Sequence, residues 1–331
     1  MINKKIWKIV LIVMIVGYFF ISCQSKDKEQ MNVVVYRLKW LFNASVAGCL
    51  YADVHDIFSQ KGIKVSLKEG GTERNAITEL ELGRAHFGVA TADQTIRAIA
   101  DGSPIVVIAQ LFQKIPMCWI YRSNSIHINS ANDLKHKKIG ITYGNEDETI
   151  MRAILAKHNI HEKDVTFFSV KYDYTPFYLG EVDLWPVYEN SNGIIIFEKM
   201  KKAGESIEFF KPYDYGVNFV ANSIITTIDM LETQPVLVKS FLSALLQGWS
   251  EALNPIYEEK AISAIMQFDK TTSLDIIHKQ LAVTRPLIQP TSKIPIGTID
   301  DEAWKQTEKI MLNQGQISKP IYIEKRLKTE L

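Results

Sequence analysis

The sequence has 331 residues, of which 38 are Lys or Arg and 37 are Asp or Glu, so its formal net charge is +1. Hydrophobic residues make up 47% and charged residues 23%, which is typical of a folded globular protein. These values exclude a disordered or disulfide-built chain, and they exclude a nucleic-acid binder that depends on bulk positive charge. The length suggests two domains.

The N-terminal segment 1–22 is predicted to be a signal peptide, because three lysines accompany a short apolar run from Ile9 to Ile21. This run is shorter than the roughly 20 residues that a membrane-spanning helix needs. Cys23 follows the small residue Ser22 and precedes polar residues, which resembles a bacterial lipoprotein processing site. We therefore expect a lipid on Cys23 and a tether over residues 23–30, or alternatively an uncleaved signal anchor. Either outcome places the rest of the chain outside the membrane.

Strands and helices alternate from residue 31 to residue 111, which favours α/β units on a mainly parallel sheet. The strand segments are β-branched, alternating or continuously apolar, and the helix segments have apolar residues at helical spacing. Thr72 is a candidate N-cap. The predicted strands are 31–37, 63–68, 87–90 and 104–111, and the predicted helices are 45–60, 72–83 and 93–100.

A second alternating set follows, and after residues 217–226 the chain becomes mostly helical. No linker precedes this helical tail, so we expect it to pack on the first unit. The chain would then cross between two lobes near 112–119 and 215–222, leaving a hinge and a ligand cleft between them. The predicted strands are 138–143, 165–170, 182–187 and 206–210, and the predicted helices are 145–158, 174–179, 193–202, 229–253, 258–267, 273–287 and 300–312.

The two remaining cysteines, Cys49 and Cys118, leave two alternatives open. They could form one disulfide in an oxidising compartment, or they could be two buried thiols. Neither has the spacing of a metal ligand pair and the histidines are scattered, so we expect no metal and no cofactor.

Six short stretches resemble, in order and spacing, the solute-binding proteins of ABC importers, in the branch for thiamine-pyrimidine precursors, sulfonates and nitrate. The resemblance covers nearly all of residues 31–328. His136 stands where that family has a Gly, and Ser191 stands where its ligand loop has an Asn. The stretches are 39–44, 69–72, 82–90, 101–106, 133–140 and 180–185.

The resemblance implies an α/β, two-lobed periplasmic-binding-protein fold of type II, with the C-terminal helices on the first lobe. Lobe 1 would comprise 31–115 plus 221–331, and lobe 2 would comprise 116–220. It also implies a monomer in the cell envelope that captures a small-molecule ligand and passes it to an ABC permease and ATPase. A lipid on Cys23 would keep the receptor beside its transporter.

Ligands of α/β sheets bind beyond the carboxyl ends of the strands, and this rule selects the candidate ligand contacts. Trp40 could stack on a flat ring or only close the core, and Asp93 is a candidate helix cap. The resemblance places the family's ligand loop at residues 185–190. The ligand candidates are Trp40, Asn43, Thr91, Gln94, Asn145, Glu146, Asp147, Trp185, Tyr188, Glu189 and Tyr215.

Three carboxylates follow Asn145 at a predicted helix N-terminus, where an anion would otherwise bind. They could simply offset the helix dipole. In either case they argue against a sulfonate or nitrate and favour a neutral or cationic ligand rich in N–H donors, such as an aminopyrimidine.

The sequence therefore predicts a non-enzymatic receptor for a small heteroaromatic nutrient, most like a thiamine pyrimidine precursor. Three alternatives remain: a sulfonate or nitrate receptor, a sensory domain that acts with a separate kinase, and an enzyme similar to a pyrimidine synthase. Unclustered cysteines and a secretory signal speak against the enzyme, as does the lack of hydrolase, zincin and Walker motifs.

Overall fold

The computed structural model describes residues 32–329 apart from positions 72 and 172. The predicted signal peptide, Cys23, the tether and the predicted N-cap Thr72 therefore lie outside the described residues. No helix in the described part of the chain is both long and apolar enough to cross a membrane.

The strands of the described chain form two five-stranded sheets. The first sheet has the order β2-β1-β3-β10-β4 and the second has the order β7-β6-β8-β5-β9, in the numbering that follows. The strands are β1 (Asn32–Arg37), β2 (Ile63–Lys68), β3 (Phe87–Ala90), β4 (Ile105–Gln110), β5 (Met117–Arg122), β6 (Lys138–Ile141), β7 (Thr166–Ser169), β8 (Leu184–Tyr188), β9 (Ile207–Phe210) and β10 (Ser223–Thr227).

One strand in each sheet runs against its neighbours. β1 pairs with β3 in parallel, and β6 pairs with β7 and β8 in parallel, whereas β10 and β5 are antiparallel to both of their partners. Each reversed strand comes directly after the chain has moved from the other sheet. The prediction of an α/β fold with two mainly parallel sheets is therefore confirmed, although β5 itself was not predicted. The lobe boundaries, at 115/116 and 220/221, stay a prediction.

The helices agree with the predicted segments except where a local break divides them and in the segment 72–83, where the helix begins only at Ala76 and Asn75 is its N-cap. The segment 45–60 is interrupted at Asp56, whose φ of 57° is left-handed. The segment 229–253 is interrupted before Pro235, because a residue that precedes proline disfavours helical geometry. The helices are α1 (Ala47–Val54), α2 (Ile57–Gln60), α3 (Ala76–Glu81), α4 (Ala92–Ala100), α5 (Glu146–Lys157), α6 (Thr175–Tyr178), α7 (Ile194–Lys202), α8 (Ile228–Thr233), α9 (Pro235–Ala252), α10 (Glu258–Phe268), α11 (Leu274–Ile288) and α12 (Asp301–Asn313).

The helical tail packs on the first sheet, as predicted. α9 lies so close to α1 that a Cβ added at Gly248 would be 2.4 Å from the carbonyl oxygen of Gly48. α12 docks through Trp304, whose indole Nε1 donates to Gln110 Oε1 at 3.1 Å, at the end of β4. Glycine is needed where α1 and α9 approach, because any larger residue would force the two helices apart.

The ends of the strands define one edge of each sheet. Ser223, the first residue of β10, lies opposite Ala90 and Gln110, the last residues of β3 and β4. Met117, the first residue of β5, lies opposite Tyr188, the last residue of β8. The loops at these edges therefore carry the residues that a ligand between the sheets would meet.

Candidate functional site

Five side chains from loops and strand ends of both sheets form one buried group, which we call the carboxylate cluster. Lys39 Nζ lies 2.9 Å from Glu146 Oε1 and also donates to the hydroxyl of Tyr188. That hydroxyl donates in turn to the same oxygen of Glu146. The ammonium lies 4.8 Å from the centre of the Tyr188 ring, which adds a cation–π contact. The members of the cluster are Lys39, Asp93, Glu146, Asp147 and Tyr188.

Each member of the carboxylate cluster is positioned by the end of a strand. Lys39 follows β1, Asp93 lies in the first turn of α4 after β3, and Tyr188 is the last residue of β8. Glu146 and Asp147 open α5, whose N-cap residue Asn145 has an extended backbone. Lys39 and Asp93 therefore belong to loops of the first sheet, while the other three belong to the second.

Burial sets the electrostatics of this cluster. Burial, followed by the nearby Glu146 carboxylate, raises the pKa of Asp93, which is 2% exposed. Burial raises the pKa of Asp147 to about 7, although Thr142 N donates to its carboxylate at 2.6 Å. Burial and then Glu146 raise the pKa of Tyr188 well above its ordinary value. Glu146 is the carboxylate in contact with the ammonium, while the raised pKa values of Asp93 and Asp147 shift these two carboxyls towards their uncharged, protonated form.

Two oxygen atoms of this cluster accept no hydrogen bond from any described residue. Asp93 Oδ1 and Glu146 Oε2 are both buried and unpartnered. A buried acceptor without a donor costs about 1–3 kcal/mol, so such atoms are rare unless something else completes them. The cluster is therefore suited to a molecule that supplies N–H or O–H donors.

A second polar group lies where the loop after β8 meets α11. Residues Glu189–Gly193 form a π-helical turn, and Asn190 Nδ2 donates from it to Thr284 Oγ1 at 3.0 Å. Gln280 Nε2 donates back to the carbonyl of Ser191 at 3.1 Å. The side-chain oxygens of Asn190 and Gln280 are buried and find no donor in the described chain. This group also offers acceptors rather than donors.

The structure brings three of the predicted ligand residues together in the carboxylate cluster, namely Glu146, Asp147 and Tyr188. The third acid of that loop, Glu148, instead accepts from Gly144 N at 2.7 Å and pairs with Arg152. Thr91 and Gln94 form the capping box of α4 beside Asp93. Asn145 is exposed at the N-cap of α5.

The other predicted ligand residues have different surroundings, and their ligand roles stay predictions. Trp40 is 38% exposed, and Asn43 Oδ1 caps the next turn by accepting from Ser45 N at 2.8 Å. Trp185 lies in the core against Phe177, with 6.4 Å between ring centres.

Glu189 and Tyr215 also have protein partners. Glu189 accepts from Lys211, and its backbone N donates to the carbonyl of Pro116 at 2.8 Å. Tyr215 stacks on Phe210 with ring centres 4.2 Å apart, and its carbonyl oxygen contacts His158, just beyond the far end of α5 from Glu146. The structure therefore does not bring Tyr215 to the carboxylate cluster.

Two members of the cluster, Lys39 and Asp93, were absent from the predicted ligand residues. The strand-end rule that selected Trp40 applies equally to Lys39, one position earlier. Asp93 was interpreted as a helix cap, yet its carboxylate is buried and lies 4.0 Å from Arg97 on its own helix. Its unusual burial is a tertiary property that the sequence alone does not show.

Cys49 and Cys118 are free and buried, so the prediction of two buried thiols is confirmed and the alternative disulfide is wrong. Burial raises the pKa of both thiols, which makes them poor nucleophiles. Among the described residues no group of three or more His, Cys, Asp or Glu side chains is arranged to hold a metal ion.

The family model described as NMT1/THI5 like matches residues 43–256. The riboflavin-binding protein RibY of Chloroflexus aurantiacus is 24% identical over 91% of this chain and 86% of its own length. The formylaminopyrimidine-binding protein of Halalkalibacterium halodurans is 21% identical over 97% of each chain.

Solved structures show the same fold. The periplasmic aliphatic sulphonate binding protein SsuA of Escherichia coli superposes with a TM-score of 0.71 at 16% identity, over 89% of this chain and 97% of that one. The desulfurization enzyme DSZB superposes with a TM-score of 0.60 at 11% identity, over 90% of this chain and 97% of that one. The fold is thus a periplasmic-binding-protein fold that both receptors and an enzyme use.

Proposed function

The chain belongs to the NMT1/THI5-like family, and on that premise we propose that it is the extracytoplasmic solute-binding protein of an ABC importer. Its ligand is a small heteroaromatic nutrient, neutral or cationic, and most like a thiamine pyrimidine precursor. The ligand lies between the two sheets at the carboxylate cluster. The protein acts as a monomer without enzymatic activity and hands the ligand to a permease and its ATPase.

The unpartnered oxygens of Asp93 and Glu146 carry this proposal. A ring that bears amino or amide groups can donate to both atoms and remove the cost of burying them without partners. A sulfonate or nitrate has acceptors only, and it would meet the Glu146 carboxylate and two buried oxygens that are acceptors themselves. The acidic cluster therefore favours an N–H donor over an anion, even though SsuA, named for sulphonate binding, has the same fold.

The names of two relatives support the same class of ligand. One is named for riboflavin and the other for formylaminopyrimidine, and both of these molecules are flat nitrogen heterocycles with N–H groups. Tyr188 lies inside the cluster and can cover one face of such a ring, as aromatic side chains do in ligand sites.

The lipid anchor is part of the proposal and depends on Cys23 alone. Cells that express the full chain are grown with a radiolabelled fatty acid, and the Cys23→Ser variant serves as control. Label and membrane association should be lost together in the variant. Retention of both after Cys23→Ser would remove the anchor from the proposal.

A panel of ligands tests the binding function. The full chain is heated with formylaminopyrimidine, riboflavin, ethanesulfonate or nitrate at equal concentrations, and the melting temperature is recorded. A ligand at about 100 times its Kd stabilises the protein by about 2.7 kcal/mol, which raises the melting temperature by several degrees. We expect a rise with formylaminopyrimidine and none with the two anions. A rise with ethanesulfonate or nitrate alone would overturn the choice of ligand class.

Riboflavin is the second candidate ligand, because a relative that covers most of this chain is named for binding it. Riboflavin is fluorescent, and its fluorescence is quenched when an aromatic side chain stacks on the ring. Quenching that saturates with this protein, and that formylaminopyrimidine does not compete away, would select the flavin.

A further inference from the structure

A chain of side-chain hydrogen bonds joins the two helices that carry the acids of the carboxylate cluster. It passes through residues 314–316, directly after α12, and we call it the amide clasp. Gln316 Nε2 donates to Thr149 Oγ1 of α5 at 2.7 Å, and Gln314 Nε2 donates to the carbonyl oxygen of Thr149 at 3.0 Å. On the other side, Arg97 Nη2 of α4 donates to Gln316 Oε1 at 3.1 Å. The members of the amide clasp are Arg97, Thr149, Gln314 and Gln316.

The amide clasp holds each helix one turn beyond its acid. On α4, Arg97 follows Asp93 by four positions, and on α5, Thr149 follows Glu146 by three. Side chains at these spacings are neighbours on one face of a helix. Asp93 and Glu146 are also the residues whose buried oxygens find no donor among the described residues. The amide clasp therefore connects the two helix ends that present these oxygens.

The glutamines of the amide clasp are anchored to the first sheet. Met311 and Ile317, which flank them along the chain, are buried in the same core cluster as Ile96 of α4. Gln316 N also donates to the carbonyl oxygen of Met311 at 2.9 Å. Thr149 is 1% exposed, so the end on α5 is buried as well. The tail and α4 thus form one packed unit, and the amide clasp joins this unit to a helix of the second sheet.

The hydrogen bonds within the amide clasp satisfy one another. Gln316 Nε2 also donates to Gln314 Oε1 at 2.8 Å, so both amide groups have partners for oxygen and nitrogen. Satisfied polar networks of this kind hold the elements that they join in one arrangement. All of the partners are protein groups, so the amide clasp forms without a ligand. Each neutral bond contributes little on balance, because water replaces it when α5 moves away. The amide clasp therefore favours this arrangement without locking it.

We propose that Thr149 and Gln316 are positioning residues for the ligand site. They do not touch the ligand, but they hold α4 and α5 in the arrangement in which Asp93 and Glu146 face the same ligand. The apparent affinity of a ligand is proportional to the fraction of the protein that is already in the binding arrangement. The amide clasp raises this fraction and so strengthens binding. This inference rests on the proposed function for its ligand and on the described contacts for the amide clasp.

A double-substitution cycle, measured by calorimetric titration, tests the amide clasp. Thr149→Val keeps the shape of the side chain but removes Oγ1, whereas Thr149→Ser keeps that oxygen. Thr149→Val should weaken formylaminopyrimidine binding about fivefold, as expected for one neutral hydrogen bond, and Thr149→Ser less than about twofold. In a chain that carries Gln316→Ala, Thr149→Val should change the affinity less than about twofold. An equal loss in both backgrounds would mean that Thr149 acts only within α5 and would overturn the inference.

A matched control comes from the same tail. Gln306 is an exposed glutamine of α12, outside the amide clasp. Gln306→Ala should leave both the affinity and the effect of Thr149→Val unchanged. If Gln306→Ala weakens binding as much as Gln316→Ala does, then the tail acts through its general stability, and the positioning role is overturned.

A measurement without ligand separates this inference from the proposed function. Hydrogen–deuterium exchange of the ligand-free chain, followed by mass spectrometry, reports on the first turns of α5. With Gln314→Ala and Gln316→Ala together, these turns should exchange at least about threefold faster than in the native chain, because they lose their contact with the tail. Unchanged exchange would overturn the amide clasp, whatever the ligand is. If the exchange increases but no heteroaromatic compound binds the native chain, then the proposed function fails and the amide clasp stands.

Discussion

Two Lys–Glu ion pairs connect elements of the first sheet to elements of the second over nearly the same distance, and they differ in burial and in their further partners. Lys39 lies 2.9 Å from Glu146, and Lys279 of α11 lies 3.0 Å from Glu198 of α7. The first pair is largely buried and shares its carboxylate with Tyr188. Lys279 is 38% exposed and also pairs with the solvent-facing Asp275. A short distance therefore does not by itself identify an ion pair that belongs to a ligand site. Burial next to acceptors that have no hydrogen-bond donor does identify one.

Substitution of the two carboxylates should give the largest difference between these pairs. Glu146→Gln replaces one acceptor oxygen with an NH2 group that opposes the ligand's own donors. We expect formylaminopyrimidine affinity to fall about 100-fold, in the range of about 2–5 kcal/mol for buried charged contacts. Glu198→Gln should change it less than twofold, and calorimetric titration of both variants measures the difference. Equal losses in the two variants would contradict the assignment of the site to the carboxylate cluster.

Substitution of the two lysines should also lower the free energy of unfolding by different amounts, with the larger effect at Lys39. Lys39→Met leaves Glu146 buried without its counter-charge and should lower the free energy of unfolding by about 3 kcal/mol, as seen when one partner of a buried pair is removed. Lys279→Met should leave the denaturation midpoint almost unchanged, because exposed pairs are screened by water. Urea titration followed by circular dichroism gives both values. A larger destabilisation by Lys279→Met than by Lys39→Met would refute the distinction.

Asp147 lies near the first pair and Asp275 belongs to the second, and their contributions to stability should change with pH in opposite directions. Burial raises the pKa of Asp147 to about 7, so the folded chain holds this proton more tightly than the unfolded chain. The stability from this group is fully present below about pH 4 and is lost as the pH rises through about 7. The hydrogen bond from Lys279 lowers the pKa of Asp275, so its small contribution is present at neutral pH and lost in acid.

Melting curves at several pH values measure these opposite slopes. As the pH rises from 4 to 7, roughly the range between the ordinary and the raised pKa, the melting temperature of Asp147→Asn should rise by several degrees relative to that of the native chain. The melting temperature of Asp275→Asn should fall by at most about a degree relative to the native chain over the same range, since exposed charges contribute little to stability. A native chain and an Asp147→Asn variant with parallel pH profiles would show that Asp147 is not buried as described.

The strand-end rule selected three of the five members of the cluster from the sequence, because it depends only on local order along the chain. Glu146 and Asp147 begin α5 directly after a β-strand, so their position followed from the pattern. Trp185 shows where that reasoning stops. The predicted strand ended at Val187, but β8 continues to Tyr188. Alternation along the strand then places Trp185 and Tyr188 on opposite faces, so both cannot face the same cleft.

Contacts between distant parts of the chain could not be predicted from the sequence. The first half of β5 was included in the predicted crossing at 112–119, because its apolar residues give no sign that β8 and β9 will pair with it. Asn190 and Gln280 meet partners 94 and 89 residues away along the chain. Their burial depends on how the tail packs against the second sheet, which no local pattern records.

Direct titration of the native chain with formylaminopyrimidine and with ethanesulfonate, by isothermal calorimetry under the same conditions, tests the central claim most directly. The carboxylate cluster offers acceptors to an N–H-bearing ring and repels an anion. Saturable binding of formylaminopyrimidine, with no heat from ethanesulfonate, is the predicted result. Saturable binding of ethanesulfonate with no heat from formylaminopyrimidine would contradict it.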